Sequence, residues 1–284
     1  MGIGSPLVYV TTPKAGTHAF RPVFRNIISW FGYEEVALPS ANSRRPFITA
    51  MEALGENIDL MRNAIDNATV AISPLLNSFE CVEIHDYVSP EAIRKHNSIQ
   101  CIYLIRDPRD LYVSMAHYEK KMSSGEAGFG SRPVEEILSD LLKGRIALTN
   151  MKDSILVLPA IRRLAENFCS AKCLTNVFAI KYEDIRLDAR NTYIDLMKWL
   201  GFDALPQYGQ FVENGPLESI LEMYSFENQV KELGTLRVGN TTNTLRKGSP
   251  GDWKNYFTPE LKEEVKELIG KELIELGYEK NYDW

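Results

Sequence analysis

Short apolar, β-branched runs alternate with stretches of helical periodicity along this chain, and few folds accommodate that alternation. Leu7-Val8-Tyr9-Val10-Thr11 reads as a buried strand. A turn at Pro13-Lys14-Ala15-Gly16 leads into residues 17–31, where Phe20, Phe24, Ile27, Ile28 and Phe31 fall at helical spacing. Residues 68–72, 81–84, 99–105 and 177–181 repeat the strand signature. Residues 47–66, 133–143, 153–168, 190–200 and 259–276 read as helices. Pro108 opens a further helix carrying Leu111, Tyr112, Met115 and Tyr118. The Gly-rich stretches 125–132 and 234–251 read as loops.

This order of elements predicts right-handed crossovers and an α/β fold, with a central, mostly parallel sheet flanked by helices. The chain has 284 residues and shows no repeat, low-complexity tract or linker, so a single domain over 1–284 is expected. In such sheets a ligand sits at the carboxyl ends of the strands. Two loops loaded with polar residues, 12–17 and 106–110, both follow strands.

Composition narrows the function classes. The net charge is −6, which argues against a nucleic-acid binder but leaves room for a local basic pocket. Hydrophobic residues make up 44%, enough for a sizeable core. Four cysteines are too few for a disulfide framework, and Cys169 and Cys173, which could share a helix face, read as reduced, half-buried thiols. No stretch reads as a signal peptide or membrane span, so the cytoplasm is the expected compartment. No carboxylate and His cluster has metal-site spacing, and no metal is expected.

Thr12-Pro13-Lys14-Ala15-Gly16-Thr17 has the makings of a phosphate loop. Gly16 permits close approach of the backbone, free N–H groups at the helix start attract an anion, and Lys14 and Thr17 add a charge and a hydroxyl. It is not a Walker A loop, because Lys14 precedes Gly16. Taken alone, an ordinary turn with a solvated Lys fits equally. Arg106, at the end of an apolar strand, offers a planar fork for phosphate; Ser114 lies about two helical turns on. Pairing of Arg106 with Asp107 or Asp110 is the structural alternative. Arg246-Lys247-Gly248 puts two cations beside a Gly in a loop.

With Arg106-Asp107-Pro108-Arg109-Asp110, Tyr182-Glu183-Asp184 and Arg246-Lys247-Gly248-Ser249-Pro250-Gly251-Asp252-Trp253-Lys254-Asn255-Tyr256-Phe257-Thr258, the chain resembles the PAPS-dependent sulfotransferases from Val10 to Thr258. The resemblance implies a P-loop-NTPase-like fold and 3′-phosphoadenosine-5′-phosphosulfate (PAPS) as co-substrate, with PAP as product. It implies that Lys14, Gly16 and Thr17, with Ala15 and His18 in the same loop, hold the 5′-phosphosulfate. Arg106, Ser114, Arg246, Lys247 and Gly248 would hold the 3′-phosphate, and Tyr182 and Phe226 would flank the adenine. The family's catalytic His carries over to His85, which follows the strand over 81–84 and suits a general base. His96 and His117 read as helical, exposed residues.

The family pattern is also broken. Glu83 stands for a Lys and Ala15 for a Ser that restrains the loop Lys. His18 stands for a Thr and Ala19 for an adenine-stacking Trp, with Phe20 as an adjacent aromatic. Lys254, Thr258 and Glu263 fit the family's dimer element, but Pro259 replaces its Val, which speaks against that route and leaves a homodimer open. The expected reaction is sulfuryl transfer to a hydroxyl or amine of a small molecule, with no nucleic-acid or membrane partner. Enzymes that tailor secondary metabolites, including guanidinium alkaloid toxins, look similar in size. A nucleotide-dependent phosphoryl transferase and a non-catalytic adenosine-bisphosphate scaffold are the alternatives.

Overall fold

Leu7, Val8, Tyr9, Val10 and Thr11 are all buried, so the first strand is covered on both faces, as a parallel sheet between helices requires. A computed structural model describes residues 7–12, 14–33, 35–36, 81–84, 90–94, 100–122, 131–143, 148–151, 154–157, 161–235 and 247–284. The expected helix over 47–66 and strand over 68–72, and residues His85, His96 and Arg246, lie outside the described residues.

Five described strands form one parallel sheet: β1 (Leu7–Thr11), β2 (Glu35–Val36), β3 (Cys81–Ile84), β4 (Gln100–Ile105) and β7 (Val177–Lys181), in the order β2-β3-β1-β4-β7. A separate antiparallel pair joins β5 (Leu148–Met151) to β6 (Ser154–Val157). Around them stand α1 (Thr17–Trp30), α2 (Pro90–Arg94), α3 (Pro108–Met122), α4 (Val134–Leu142), α5 (Ile161–Lys172), α6 (Tyr182–Leu187), α7 (Ala189–Trp199), α8 (Tyr208–Glu213), α9 (Pro216–Met223), α10 (Phe226–Thr235) and α11 (Pro259–Glu275).

Register decides where a site can form. Val10 pairs with Ile84, Thr11 with Leu104, and Ile105 with Lys181. Four strands therefore run out at one edge, and the chain changes direction across the sheet at β1. The phosphate-type loop, Arg106 and Tyr182 all leave from that edge.

Most expected elements form within a residue or two. One differs: 153–168 divides into β6 and α5. Pro159 lacks the amide hydrogen that a helix interior needs, and Ile155 and Val157 are β-branched. Thr258 and Pro259, compared above with the family's dimer element, form a helix start. The Leu261 N–H donates to Thr258 Oγ1 at 3.2 Å, and Pro259 opens α11. Cys169 is buried in α5 with its thiol pKa pushed up to about 12, by burial first, while Cys173 lies past the helix end and is exposed. Among the described residues no helix is long and apolar enough to cross a membrane.

Phe20 belongs to the core. It is fully buried and meets Tyr9, Phe24 and Tyr193 at centroid distances of 5.8, 5.0 and 6.1 Å. It cannot stand in for a ligand-stacking aromatic. His117 is half-buried and packs its edge against Tyr256 at 5.0 Å, where an exposed setting was expected.

Candidate active site

The loop after β1 turns tightly: the Ala15 N–H donates to the Thr12 carbonyl at 2.9 Å. Lys14 then adopts φ 68°, a left-handed conformation that costs an L-residue about 1 kcal/mol and persists only where the surroundings hold it. Two contacts do so. Arg106 Nη1 donates to the Lys14 carbonyl at 2.9 Å. The Lys14 ammonium lies 3.4 Å from the centroid of Tyr118. Ala15 is fully buried, so the residue standing where the family has Ser offers no hydroxyl, and an aromatic face supports the Lys instead. Thr17 is buried at the first position of α1.

Arg106 is buried, with its Nε lacking a hydrogen-bond partner and its guanidinium 4.6 Å from the centroid of Tyr182. It does not form the expected alternative pair. Asp107 binds Arg109 through two short contacts, Nη2 to Oδ2 at 2.7 Å and Nε to Oδ1 at 3.0 Å. Asp110 accepts from the N–H groups of Gly251 at 2.6 Å and Trp253 at 2.8 Å. Burial, then the Asp107 charge, raise the Asp110 pKa; Arg106 and those two donors oppose the rise. Ser114 lies half-buried on α3, outside these contacts.

Tyr182 and Phe226 close the cluster. The Tyr182 hydroxyl donates to the Gly248 carbonyl at 2.9 Å, and its ring lies where a side chain on Gly16 would stand. The Phe226 ring crowds Gly248 in the same way, 2.5 Å from the position of an added Cβ. Both glycines have positive φ, 114° and 66°. Lys247 turns to Asp252 at 2.9 Å, a half-exposed contact. Lys14, Gly16, Arg106, Tyr182, Phe226 and Gly248 therefore meet, from stretches of chain far apart in sequence.

The His18 side chain opens to solvent, yet crowding around its imidazole, and then the Lys14 and Arg21 cations, lower its pKa from the ordinary value. Its carbonyl exposes a dependency that the motifs did not show. Pro22 sits inside α1 and cannot donate to the carbonyl four residues back. Gln229 Nε2 donates to that carbonyl at 3.0 Å and to the Tyr224 carbonyl at 2.8 Å. Because Gln229 and Phe226 share α10, this amide ties the aromatic to the first turn of α1. Gln229→Leu is expected to weaken adenosine 3′,5′-bisphosphate binding about threefold to tenfold, read by calorimetry. Unchanged affinity would show the tie to be idle.

Two more residues escaped the sequence. Arg186 stands one helical turn from Tyr182, with its guanidinium 4.8 Å from the Phe226 centroid. Arg109 lies buried between Trp253 and Trp284, at 3.9 and 4.5 Å, and binds Glu279 at 2.6 Å. Burial opposes its charge, but the Asp107 and Glu279 carboxylates outweigh burial and raise its pKa. Pro22 was the available signal for Gln229. Arg109 lies in the motif after Arg106, but nothing there shows its burial, because Trp253, Trp284 and Glu279 are distant in sequence.

Similarities to known proteins follow this geometry. A family model described as the sulfotransferase domain matches residues 5–277. A flavonol sulfotransferase-like protein of Flaveria bidentis is 29% identical over 197 residues, 66% of this chain and 58% of that protein. The amine sulfotransferase of Oryctolagus cuniculus is 23% identical over 197 residues, again 66% and 58%. The chain thus spans less than two thirds of the length of these relatives. Among solved structures, a mouse sulfotransferase complexed with PAP superposes with a TM-score of 0.61 at 21% identity, covering 95% of this chain and 84% of that one. A retinol dehydratase in complex with retinol and PAP gives 0.60 at 14%, covering 95% and 82%. The structural likeness is one of fold, and the match over almost the whole sequence settles descent: the chain belongs to the sulfotransferase domain family.

Proposed function

We propose that this protein, acting as a single domain over 1–284, transfers the sulfuryl group of PAPS to a hydroxyl or amine of a small-molecule acceptor in the cytoplasm. The observation that supports this reading most is the convergence of Lys14, Arg106, Tyr182 and Gly248 at the carboxyl edge of the sheet. Cations and exposed backbone N–H groups suit a ligand carrying phosphates at two ends. The names of relatives, flavonol and amine sulfotransferases, agree with a hydroxyl or amine acceptor.

In this reading the acceptor oxygen or nitrogen attacks sulfur in line with the bond to the 5′-phosphate oxygen. That S–O bond breaks, the acceptor proton passes to His85, and PAP departs with its 5′-phosphate charge facing Lys14. The loop residues Ala15, Gly16, Thr17 and His18 surround the 5′ end. Arg106, Ser114, Arg246, Lys247 and Gly248 hold the 3′-phosphate, and Tyr182 and Phe226 flank the adenine. No step is routed through a metal. Tailoring of a secondary metabolite, such as a guanidinium alkaloid, is the acceptor class to test first.

Calorimetry with PAP and transfer of labelled sulfate from PAPS across an acceptor panel test the reading. Tight PAP binding with turnover is expected; preference for ATP with magnesium would overturn it in favour of phosphoryl transfer. Binding without turnover on any acceptor would leave a scaffold. His85→Ala is expected to lower turnover by about 10²- to 10⁴-fold with PAP affinity unchanged. Full activity in that variant would remove His85 as the base.

A further inference from the structure

Glu183 follows Tyr182 directly, and both of its carboxylate oxygens are engaged. Its Oε1 accepts from the Asp107 N–H at 3.1 Å, and its Oε2 accepts from the Tyr278 hydroxyl at 3.1 Å. The first bond joins the residue after Arg106 to the residue after Tyr182, across the level ends of β4 and β7. Arg106 and Tyr182 are the pair whose guanidinium and ring lie 4.6 Å apart.

We propose that Glu183 is a positioning residue for the donor pocket, clamping the ends of β4 and β7 so that Arg106 and Tyr182 form one cradle. This rests on the donor reading above and names the device that shapes that pocket.

The clamp also responds to pH. Burial, reinforced by the Asp107 charge, raises the Glu183 pKa to about 7, against the Asp107 N–H and the Arg106 charge, which lower it. Asp107 itself is held by Arg109, which also binds Glu279. Asp184 lies beside Glu183 in sequence, Asp110 adds its charge near Tyr182, and the Lys181 ammonium sits 4.8 Å from the Tyr278 ring centroid. For an acid with a raised folded pKa the charged form is disfavoured, so its share of folding stability falls as pH rises from the ordinary Glu value to about 7. An anionic ligand on Arg106 disfavours the Glu183 charge further. Donor binding then draws a proton onto Glu183, and affinity falls as pH rises above 7.

The experiment is calorimetry with adenosine 3′,5′-bisphosphate between about pH 7 and 8.5, where a phosphate monoester is already almost fully dianionic. Wild type is expected to lose about threefold or more in affinity across this window. Glu183→Gln keeps an acceptor for the Asp107 N–H and should bind with that slope flattened; any slope from His18 is common to both proteins. Glu183→Ala is expected to bind about tenfold more weakly at every pH, with donor KM raised and kcat nearly kept. Tyr278→Phe removes a donor to the carboxylate and should move the midpoint upward. If Glu183→Ala fails to fold, the Gln and Phe profiles decide. Wild type that does not bind the bisphosphate sinks the donor reading and this inference with it. Wild type that binds, with all three variants indistinguishable from it, sinks this inference alone.

Discussion

Lys14→Met is expected to lower the rate of sulfuryl transfer from PAPS by about 10²- to 10³-fold, the usual cost of removing one well-placed charge from a developing anion. Methionine gives up the ammonium on the Tyr118 ring but leaves the carbonyl that Arg106 binds, so the loop should hold its shape. The loss should then fall mainly on kcat. The product PAP carries no transferring group, and its affinity is expected to drop only about tenfold. Labelled-donor kinetics beside PAP calorimetry separate the two effects. Turnover within about threefold of wild type would remove Lys14 from the chemistry.

Gly16→Ala should be as damaging by another route. An L-residue at φ 114° is strained, at a cost of order 1–3 kcal/mol, and its Cβ would overlap Cδ2 of Tyr182. The ring has nowhere to go, with its hydroxyl on the Gly248 carbonyl and Arg106 against it. Either the loop or the tyrosine must leave its place, and both contact the same proposed ligand. PAP affinity is expected to fall by more than about 30-fold, with a lower melting temperature. The double variant with Tyr182→Leu removes the overlap and should recover melting temperature but not affinity. Wild-type affinity in Gly16→Ala would show that this cradle does not hold the donor.

Much of the site could be read from the sequence because its parts sit where strands end. Apolar runs declare strands, and the residues after Thr11, Ile105 and Lys181 are polar or aromatic for no reason that a core supplies. What could not be read depends on partners brought together by packing. Phe20 and Ala19 are neighbours in sequence, but the helix sends the Phe20 ring into Tyr9 and Tyr193. Arg109 has the composition of a surface residue, and only the fold supplies the two tryptophans and two carboxylates that bury it. The 153–168 stretch failed for a local reason: its apolar spacing fits two periods, and Pro159 decides between them. Residues His85 and Arg246 rest on the family pattern alone.

The even finish of the parallel strands has a consequence for the birth of the protein. Lys14 is made well before Gly248, and every pairing of the described parallel sheet is a crossover. On the ribosome the anion loop therefore gains its partners in sequence, Arg106 first, then Tyr182, and Gly248 last. Nucleotide capture cannot guide the early stages of folding; it becomes available only once Gly248 has joined the earlier strands.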